Sequence, residues 1–144
     1  MARIITDAEG MKALLQATKR IAVLGIKTEQ QGGQAAFYVP EYLRDAGFEI
    51  IPVPVYYPEV TTILGQPVYR SLAAVPVPID MVNVFRRSQD VAPHLADILA
   101  AKPKSVWMQL GIEDRTVAEA LVAAGIDVVM NRCLMVDHQN LLGS

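Results

Sequence analysis

Positively charged side chains follow three of the apolar runs in this sequence. Lys27 comes shortly after Ile21–Leu24, the pair Arg86-Arg87 follows the run DMVNV, and Arg132 follows DVVMN. The chain as a whole has a formal net charge of −2, so cations grouped in this way favour an anionic ligand. The planar fork of a guanidinium suits the oxygens of a phosphate group. The alternative is that these residues are solvated loop side chains.

The segment after the first apolar run, GIKTEQQGG, occupies residues 25–33 and resembles a ligand-binding loop in its position. It joins a short predicted strand to a segment with helical spacing, and the free N–H groups at the start of such a helix attract phosphate. Gly32 and Gly33 either let a phosphate approach the backbone or form an ordinary flexible turn. The loop matches neither G-x-G-x-x-G nor the G-K-[ST] ending of a phosphate loop.

The second predicted strand ends in PVPVYY, residues 52–57. Sheets that bind a dinucleotide usually have an aspartate or glutamate here, and its carboxylate binds the ribose hydroxyl groups. Proline, valine and tyrosine can flank an adenine ring, but they supply no carboxylate for the ribose. The end of this strand therefore argues against NAD(P).

The other chemically active side chains form no recognisable catalytic or metal-binding pattern. His94 falls within a predicted helix and His138 in the C-terminal segment, and we expect both to be ordinary surface groups. Cys133 stands beside Arg132, a neighbour that can activate a thiol, although a partly buried structural cysteine is the simpler interpretation. Trp107, on a central strand, is expected in the core.

Length and composition are typical of one intracellular domain, which we take to span residues 1–144. A domain of this size buries roughly two-thirds of the surface that its unfolded chain exposes, so it needs no disulfide or metal to fold. Its single cysteine and the absence of an apolar signal-peptide core in the first ten residues favour a cytoplasmic protein. The net charge gives no case for a nucleic-acid partner. The apolar runs fall far short of the ~20 residues of a membrane helix.

Continuous apolar runs alternate with segments of helical spacing along the chain. The runs predict five strands: RIAVLG (20–25), FEIIPVPV (48–55), DMVNVF (80–85), SVWMQL (105–110) and DVVMN (127–131). Such an alternation predicts a parallel sheet covered by helices on both faces. Ligands of these sheets bind beyond the carboxyl ends of the strands, near the point where the strand order reverses.

Helix boundaries are predicted from capping residues. Thr6-Asp7-Ala8-Glu9 fits a capping box at the start of the first helix. The second extends from Ala35 to Gly47 and contains Pro40, which lacks a backbone donor and is therefore expected near the first turn or at a small kink. Ser88 or Asp90 is expected to cap the third helix.

Asp114 is expected to cap the fourth helix, which ends at Gly125. From Leu134 we expect a single helical turn. The segment 56–78 is predicted to be mostly loop, with a brief strand near Pro67–Tyr69 and a turn of helix from Ser71.

Six segments, taken in order, resemble the small stand-alone CoA-binding domain proteins, which are related to the CoA-binding domain in the α subunit of succinyl-CoA ligase. The segments are VLGIKTE, GFEIIPVPVYYPEV, LGQPVYRSL, VNVFRRSQDV, VWMQLGI and VVMNRCLMV, and they extend from about Arg20 to Val136. The resemblance depends on their order and spacing. It implies a Rossmann-like α/β fold, a doubly wound parallel sheet with helices on both faces, and coenzyme A as the cofactor.

The resemblance also implies the residues of a CoA site at the strand ends. The loop after the first strand would approach the phosphates, the end of the second strand would pack on the adenosine, and the next two strand ends would complete the pocket. These residues are, in the same order, Gly25, Ile26, Lys27 and Thr28; Val53, Pro54 and Tyr56; and Phe85, Arg86, Arg87, Gln109 and Leu110.

This chain departs from the family pattern at several positions. Members commonly have Ser-x-Asn-Pro where residues 26–29 read IKTE, and Asp where Asn83 and Asn131 stand. Each change from acid to amide removes a negative charge near an anion site, which is compatible with CoA. The phosphorylated histidine of the ligase belongs to a second domain, and neither His94 nor His138 corresponds to it.

Three functional hypotheses follow. The first is a module that binds CoA or acyl-CoA and catalyses nothing itself. The second is an enzyme that handles acyl-CoA with Cys133 as nucleophile, and the third is an NAD(P)-binding oxidoreductase, against which the second strand counts. The sequence leaves open the acyl group, and also whether the protein forms a homo-oligomer or presents CoA to a protein partner.

Overall fold

The computed structural model describes residues 1–143, and their main feature is a five-stranded parallel sheet. Its strands are β1 (Arg20–Leu24), β2 (Glu49–Val53), β5 (Met81–Val84), β6 (Ser105–Met108) and β7 (Asp127–Val129); the short strands β3 (Thr62–Ile63) and β4 (Gln66–Pro67) form a separate antiparallel pair. The helices are α1 (Ala8–Gln16), α2 (Ala35–Asp45), α3 (Leu95–Ala101), α4 (Arg115–Ala123) and α5 (Leu134–Leu141). The order across the sheet is β2-β1-β5-β6-β7.

Helices cover both faces of this sheet. Successive residues of a strand point to opposite faces, and in β1 the side chains of Ile21 and Val23 join one buried cluster while Ala22 and Leu24 join the other. Apolar residues of α1, α2 and α5 complete the first cluster, and those of α3 and α4 complete the second. The predicted doubly wound α/β fold is confirmed.

The strand order reverses at β1, because the chain passes from β1 to β2 on one side and then crosses to β5 on the other. The carboxyl ends of these three strands are level: Leu24 pairs with both Val53 and Val84. Since α2 and α3 leave on opposite faces, a crevice opens between the loops that follow β1 and β5.

Strand β2 lies at the edge of the sheet, and this position explains its prolines. Pro52 cannot donate a ladder hydrogen bond, which is tolerated at an edge. Its carbonyl oxygen accepts the N–H of Tyr69 at 3.0 Å, so the segment after β4 packs beside β2. The strand ends at Val53, two residues earlier than predicted.

Two of the predicted helix caps are wrong, and one is confirmed. Asp7, not Thr6, caps α1, and its carboxylate accepts the N–H of Gly10 at 2.9 Å. Neither Ser88 nor Asp90 caps α3, because two short 3₁₀ turns, 88–90 and 92–94, come before it. Asp114 does cap α4, and its carboxylate accepts the N–H of Val117 at 3.0 Å.

The irregular segment and the two ends of the chain also differ from expectation. The strand predicted at Pro67–Tyr69 is the pair β3 and β4, and no helix begins at Ser71, whose hydroxyl instead accepts the N–H of Ala74. α5 has eight residues where one turn was predicted. Near the N-terminus Ile4 pairs in parallel with Val128 beside β7. In the described part of the chain, no helix has both the length and the apolar character to cross a membrane.

Candidate ligand-binding site

Gly25 brings the loops after β1 and β5 into direct contact. Its φ is +87°, a left-handed conformation that side chains disfavour. A Cβ atom at this position would lie 2.3 Å from the carbonyl oxygen of Phe85 and 3.2 Å from Cδ of Arg86. Its N–H donates to the carbonyl of Val53 at 2.9 Å. Gly25 is therefore the point at which the ends of β1, β2 and β5 meet.

The loop after β1 uses most of its backbone donors within the protein. Pro40 lies in the interior of α2, not near its first turn as one prediction had it. It has no N–H for the carbonyl of Ala36, and this carbonyl instead accepts the N–H of Lys27 at 3.1 Å. The N–H and hydroxyl of Thr28 both donate to Oε1 of Gln31, at 3.0 and 2.7 Å. An anion at this loop would depend mainly on side chains.

The paired glycines of the loop have no special backbone geometry. Gly32 ends a 3₁₀ turn with φ −57°, and a Cβ at Gly33 would meet nothing within 4 Å. Glu29 connects the same loop to the β3–β4 hairpin, because its carboxylate accepts the N–H of Leu64 at 2.8 Å. A cleft of about 410 Å³ lies beside it, lined by Thr28, Glu29, Gln30, Tyr57, Glu59, Val60 and Thr62.

Arg86 extends from Gly25 to the residues that follow β2. Its guanidinium carbon lies 5.6 Å from the centroid of the Tyr56 ring, and Nη1 lies 3.5 Å from the Tyr56 hydroxyl. Its Nε donates to Nε2 of His94 at 3.2 Å. Only 16% of the side chain is exposed. This arginine therefore carries a cation into the crevice where the strand order reverses.

The charge of Arg86 perturbs two titratable neighbours. The hydrogen bond from Arg86, together with its charge, holds the pKa of the exposed Tyr56 hydroxyl below its usual value of 10.0. Burial first, and then the charge of Arg86, lower the pKa of His94 below 6.5. His94 is therefore partly buried and hydrogen-bonded, and the prediction of an ordinary surface group is wrong.

The adjacent Arg87 has a different environment. Its side chain is 75% exposed, and Nε donates to the carboxylate of Asp90 at 2.9 Å. The same carboxylate is 4.0 Å from Arg86. The two arginines that were paired in the sequence are thus not equivalent, because only Arg86 is enclosed by the crevice.

Arg70, for which no role was predicted, organises the loop after β2. Its Nη1 donates to the carbonyl of Tyr56 at 3.2 Å, and Nη2 lies within hydrogen-bond distance of the carbonyls of Tyr57 (3.1 Å), Pro58 (3.4 Å) and Val60 (2.7 Å). One side chain therefore donates hydrogen bonds to a loop whose backbone is not paired with a neighbouring strand. The resemblance included Arg70 in LGQPVYRSL, but no local pattern indicated which carbonyls it would reach.

The loop and Arg70 border a second cleft, of about 630 Å³, which is lined by Val55, Tyr56, Tyr57, Pro58 and Arg70. Tyr56 is 63% exposed. An apolar wall with an exposed aromatic ring is a suitable surface on which a nucleoside base can stack.

Comparison with known proteins identifies the family of this chain. A family model described as CoA binding domain matches residues 19–139. The chain belongs to this CoA-binding domain family. The match covers most of the chain, so the family recognised from the sequence is confirmed, and membership supports CoA binding.

Relatives in sequence and in structure match this chain over most of their length. The uncharacterized protein YneT of Bacillus subtilis (strain 168) is 34% identical over 128 residues, which cover 89% of this chain and 91% of that protein. The structure of cell-free ID.343 from Thermus thermophilus has a TM-score of 0.86 at 37% identity, and covers 95% of this chain and 100% of that one. A hypothetical protein from Pyrococcus horikoshii OT3 has a TM-score of 0.85 at 28% identity, with 99% of each chain covered.

Several of the residues predicted for the site have buried side chains, so these side chains are not exposed at the strand ends. These are Ile26, Thr28, Val53, Pro54 and Gln109. Phe85 is partly buried, and Leu110 is exposed at the rim.

Gln109 shows this most clearly, because it is only 4% exposed. Its Oε1 accepts from the side-chain amide of Asn83 and from the N–H of Leu134, both at 3.3 Å. Its side chain therefore joins β5, β6 and α5 in the core.

Arg132 lies at the other end of the sheet, beyond β7. Nε and Nη2 donate to the two carboxylate oxygens of the buried Asp137, each at 2.7 Å. Three strand spacings, roughly 14 Å, separate β7 from β1. The grouping of cations expected from the sequence is therefore divided, and only Lys27, Arg86 and Arg87 lie at the reversal point.

His138 lies in α5, and Cys133 immediately precedes this helix. Nδ1 of His138 lies 2.7 Å from the hydroxyl of Tyr42, and the ring also packs edge-on against Phe48. Burial lowers the pKa of His138 below 6.5, so the prediction of a surface group is wrong here too. Cys133 is partly buried and packs against the core, and Trp107 is fully buried. Among residues 1–143, no group of three or more His, Cys, Asp or Glu side chains could hold a metal ion.

Proposed function

We propose that this chain binds coenzyme A or an acyl-CoA at the carboxyl ends of β1, β2 and β5, and that it catalyses no reaction of its own. The observation that carries the proposal is the placement of Arg86, a largely buried cation that contacts Gly25 and Tyr56 at the reversal point of the sheet. Family membership supports CoA as the ligand.

The phosphates of CoA would lie between Lys27 and Arg86. Arg86 has no carboxylate closer than 4.0 Å in the described chain, so its charge is available to an anion. The Nζ of Lys27 donates to the neutral side chain of Gln34, a contact that orients the ammonium without cancelling its charge. Six of the ten backbone N–H groups of residues 25–34 donate within the protein, so these two cations would supply much of the attraction for phosphate.

The adenosine would pack against the end of β2 and the loop held by Arg70. Val53 and Pro54 form a buried apolar base, and Tyr56 presents an exposed ring. No carboxylate follows Val53 directly, so the wall suits the base of CoA better than the free adenosine ribose diol of NAD. In CoA the 3′-hydroxyl of this ribose is phosphorylated.

The location of Cys133 argues against an enzyme that uses it as a nucleophile. Cys133 follows β7, a strand that does not neighbour β1 in the sheet, and its side chain is partly buried against the core. In residues 1–143 neither histidine is hydrogen-bonded to this thiol, since His94 contacts Arg86 and His138 contacts Tyr42. A binding module accounts for the crevice without this cysteine.

The test is a titration of the purified protein with CoA, acetyl-CoA, NAD, NADP and ATP, followed by calorimetry and thermal shift. We expect binding of CoA, and a ligand at 100 times its dissociation constant raises the free energy of unfolding by about 2.7 kcal/mol. Arg86→Gln should weaken CoA binding roughly tenfold or more, because a charge-assisted hydrogen bond is lost.

Two matched variants control for the loss of a surface charge. Arg44→Gln removes a cation that, within residues 1–143, pairs only with its neighbour Asp45, and CoA affinity should stay within about twofold. Arg87→Gln should have a smaller effect than Arg86→Gln because Arg87 is solvated. An Arg86→Gln/Arg87→Gln protein that is folded and binds CoA as tightly as the parent would contradict the proposed site.

A further inference from the structure

His94 contacts Arg86 in a way that fixes its chemical state. Nε of an arginine always carries its hydrogen, so the 3.2 Å contact makes Nε2 of His94 the acceptor. An imidazole that accepts at Nε2 is neutral and carries its proton on Nδ1. The ring is half-buried at the end of the 3₁₀ turn that precedes α3.

The surroundings of His94 favour this neutral form. Burial and the charge of Arg86 lower the pKa of His94, and Asp97 and Asp90 oppose this shift. Both carboxylates are engaged elsewhere: Asp97 accepts the N–H groups of Leu72 and Ala73 at 2.7 and 2.9 Å, and Asp90 pairs with Arg87.

Arg86 has few other groups to orient it. Within residues 1–143 its hydrogen bond to His94 is its shortest polar contact, since the Tyr56 hydroxyl is 3.5 Å away and the Asp90 carboxylate 4.0 Å away. A carboxylate in the place of His94 would also orient the guanidinium, but its negative charge would offset the cation and repel an anionic ligand. A neutral acceptor orients Arg86 without adding a second carboxylate to that of Asp90, which lies 4.0 Å away.

We propose that His94 is a positioning residue for the phosphate groups of CoA, acting solely by accepting a hydrogen bond from Arg86. The inference rests on the proposed binding of CoA through Arg86. His94 itself touches no ligand, and its contribution passes entirely through the guanidinium. A side chain that keeps an acceptor at the position of Nε2 should replace it, whereas an apolar one of similar size should not.

The experiment compares CoA affinity by calorimetry at pH 8, where His94 is neutral, in four variants. His94→Gln keeps an acceptor at about the same distance from the backbone, and its affinity should stay within about threefold of the parent. His94→Leu removes the acceptor and should weaken binding about fivefold or more. In a protein that already carries Arg86→Gln, His94→Leu should cause no further loss, because the coupled partner is absent.

The outcomes separate this inference from the proposed function. If Arg86→Gln leaves CoA affinity unchanged, the proposed site itself is wrong. If Arg86→Gln weakens binding but the Leu and Gln variants of His94 behave alike, or the loss from His94→Leu is fully additive with that from Arg86→Gln, His94 does not act through Arg86. Urea unfolding of each variant confirms that it is folded. Should His94→Leu fail to fold, His94→Asn takes its place, since its shorter side chain cannot reach Arg86.

Discussion

At the scale of single residues, Gly25 and Arg86 define the crevice together. Because Gly25 has no side chain, the carbonyl of Phe85 lies 2.3 Å from where its Cβ would be, and Cδ of Arg86 lies beside it at 3.2 Å. The sequence showed both residues but not their contact. Two neighbouring arginines look alike in a sequence, and only their packing distinguishes the enclosed Arg86 from the solvated Arg87.

Replacing Gly25 by alanine should destabilise the protein. A left-handed backbone costs a side chain about 1–2 kcal/mol, and the contact of 2.3 Å with the Phe85 carbonyl adds to this. We therefore expect Gly25→Ala to lower the free energy of unfolding in urea by at least about 2 kcal/mol. Gly33→Ala is the matched control, because its new Cβ meets nothing within 4 Å, and it should change stability by less than about 0.5 kcal/mol. Equal effects of the two changes would contradict this role of Gly25.

At the scale of elements, two irregular loops are organised by groups distant from them in the chain. The carbonyl that Pro40 leaves unpaired in α2 accepts the N–H of Lys27, so a defect in a helix stabilises the loop after β1. Arg70 does the same for residues 56–60 by donating to their carbonyls. Both loops lack a hydrogen-bond ladder, and these contacts replace it.

Replacing Arg70 by glutamine should loosen the loop after β2 while the sheet stays folded. The contacts are at the surface, so we expect a loss of about 1 kcal/mol in the free energy of unfolding and a several-fold loss in CoA affinity. Hydrogen exchange should show the change at the amide of Val60, which donates to Tyr57 inside the loop, while core amides such as Val23 stay protected. Arg44→Gln is again the control, and it should leave the exchange of Val60 unchanged. Exchange that rises equally throughout the sheet would indicate global destabilisation instead.

At the scale of the whole molecule, Asp80 links three strands of the sheet at their amino ends, opposite the crevice. Its carboxylate accepts the N–H groups of Lys19 and Arg20, each at 2.9 Å, at the start of β1. Its backbone carbonyl accepts the N–H of Ser105 at the start of β6, at 3.0 Å. Burial alone would raise the pKa of Asp80, yet the hydrogen bonds from the two amides, together with Lys104, hold it below its usual value of 3.8.

A lowered carboxylate pKa predicts the direction of the pH dependence. The unfolded chain takes up this proton at a higher pH than the folded protein does, so the stabilisation is present at neutral pH and is lost as the pH falls below about 4. Asp80→Asn should cost about 1–3 kcal/mol in the free energy of unfolding at pH 7. Urea unfolding between pH 6 and pH 3 should show a smaller acid loss for this variant than for the parent. Asp45→Asn, an exposed control, should follow the parent, and identical pH profiles for parent and Asp80→Asn would contradict the prediction.

The sequence by itself determined the architecture and the family. Alternating apolar runs and helical spacing predicted a parallel sheet with helices on both faces, because these periodicities directly record which side chains are buried. Capping was predicted less well: the Asp114 cap is present, whereas Asp7 replaces Thr6 and α3 begins without a side-chain cap. Competing polar residues a position or two apart look equally suitable in a sequence, and the fit of the helix to the core chooses between them.

Only the tertiary structure decided which charges meet at the candidate site. Arg132 and Arg86 both follow strands, but the strand order puts one at the edge of the sheet with Asp137 and the other at the reversal point. The hydrogen-bond partners of Arg70 and His94 could not be predicted from the sequence either. The periodicity of a segment indicates which of its side chains are buried. Strand order and side-chain direction instead arise from packing between segments that are far apart in the chain. The sequence therefore predicted a crevice at the strand ends, and the fold determined that Arg86, held by His94 against Gly25, lies within it.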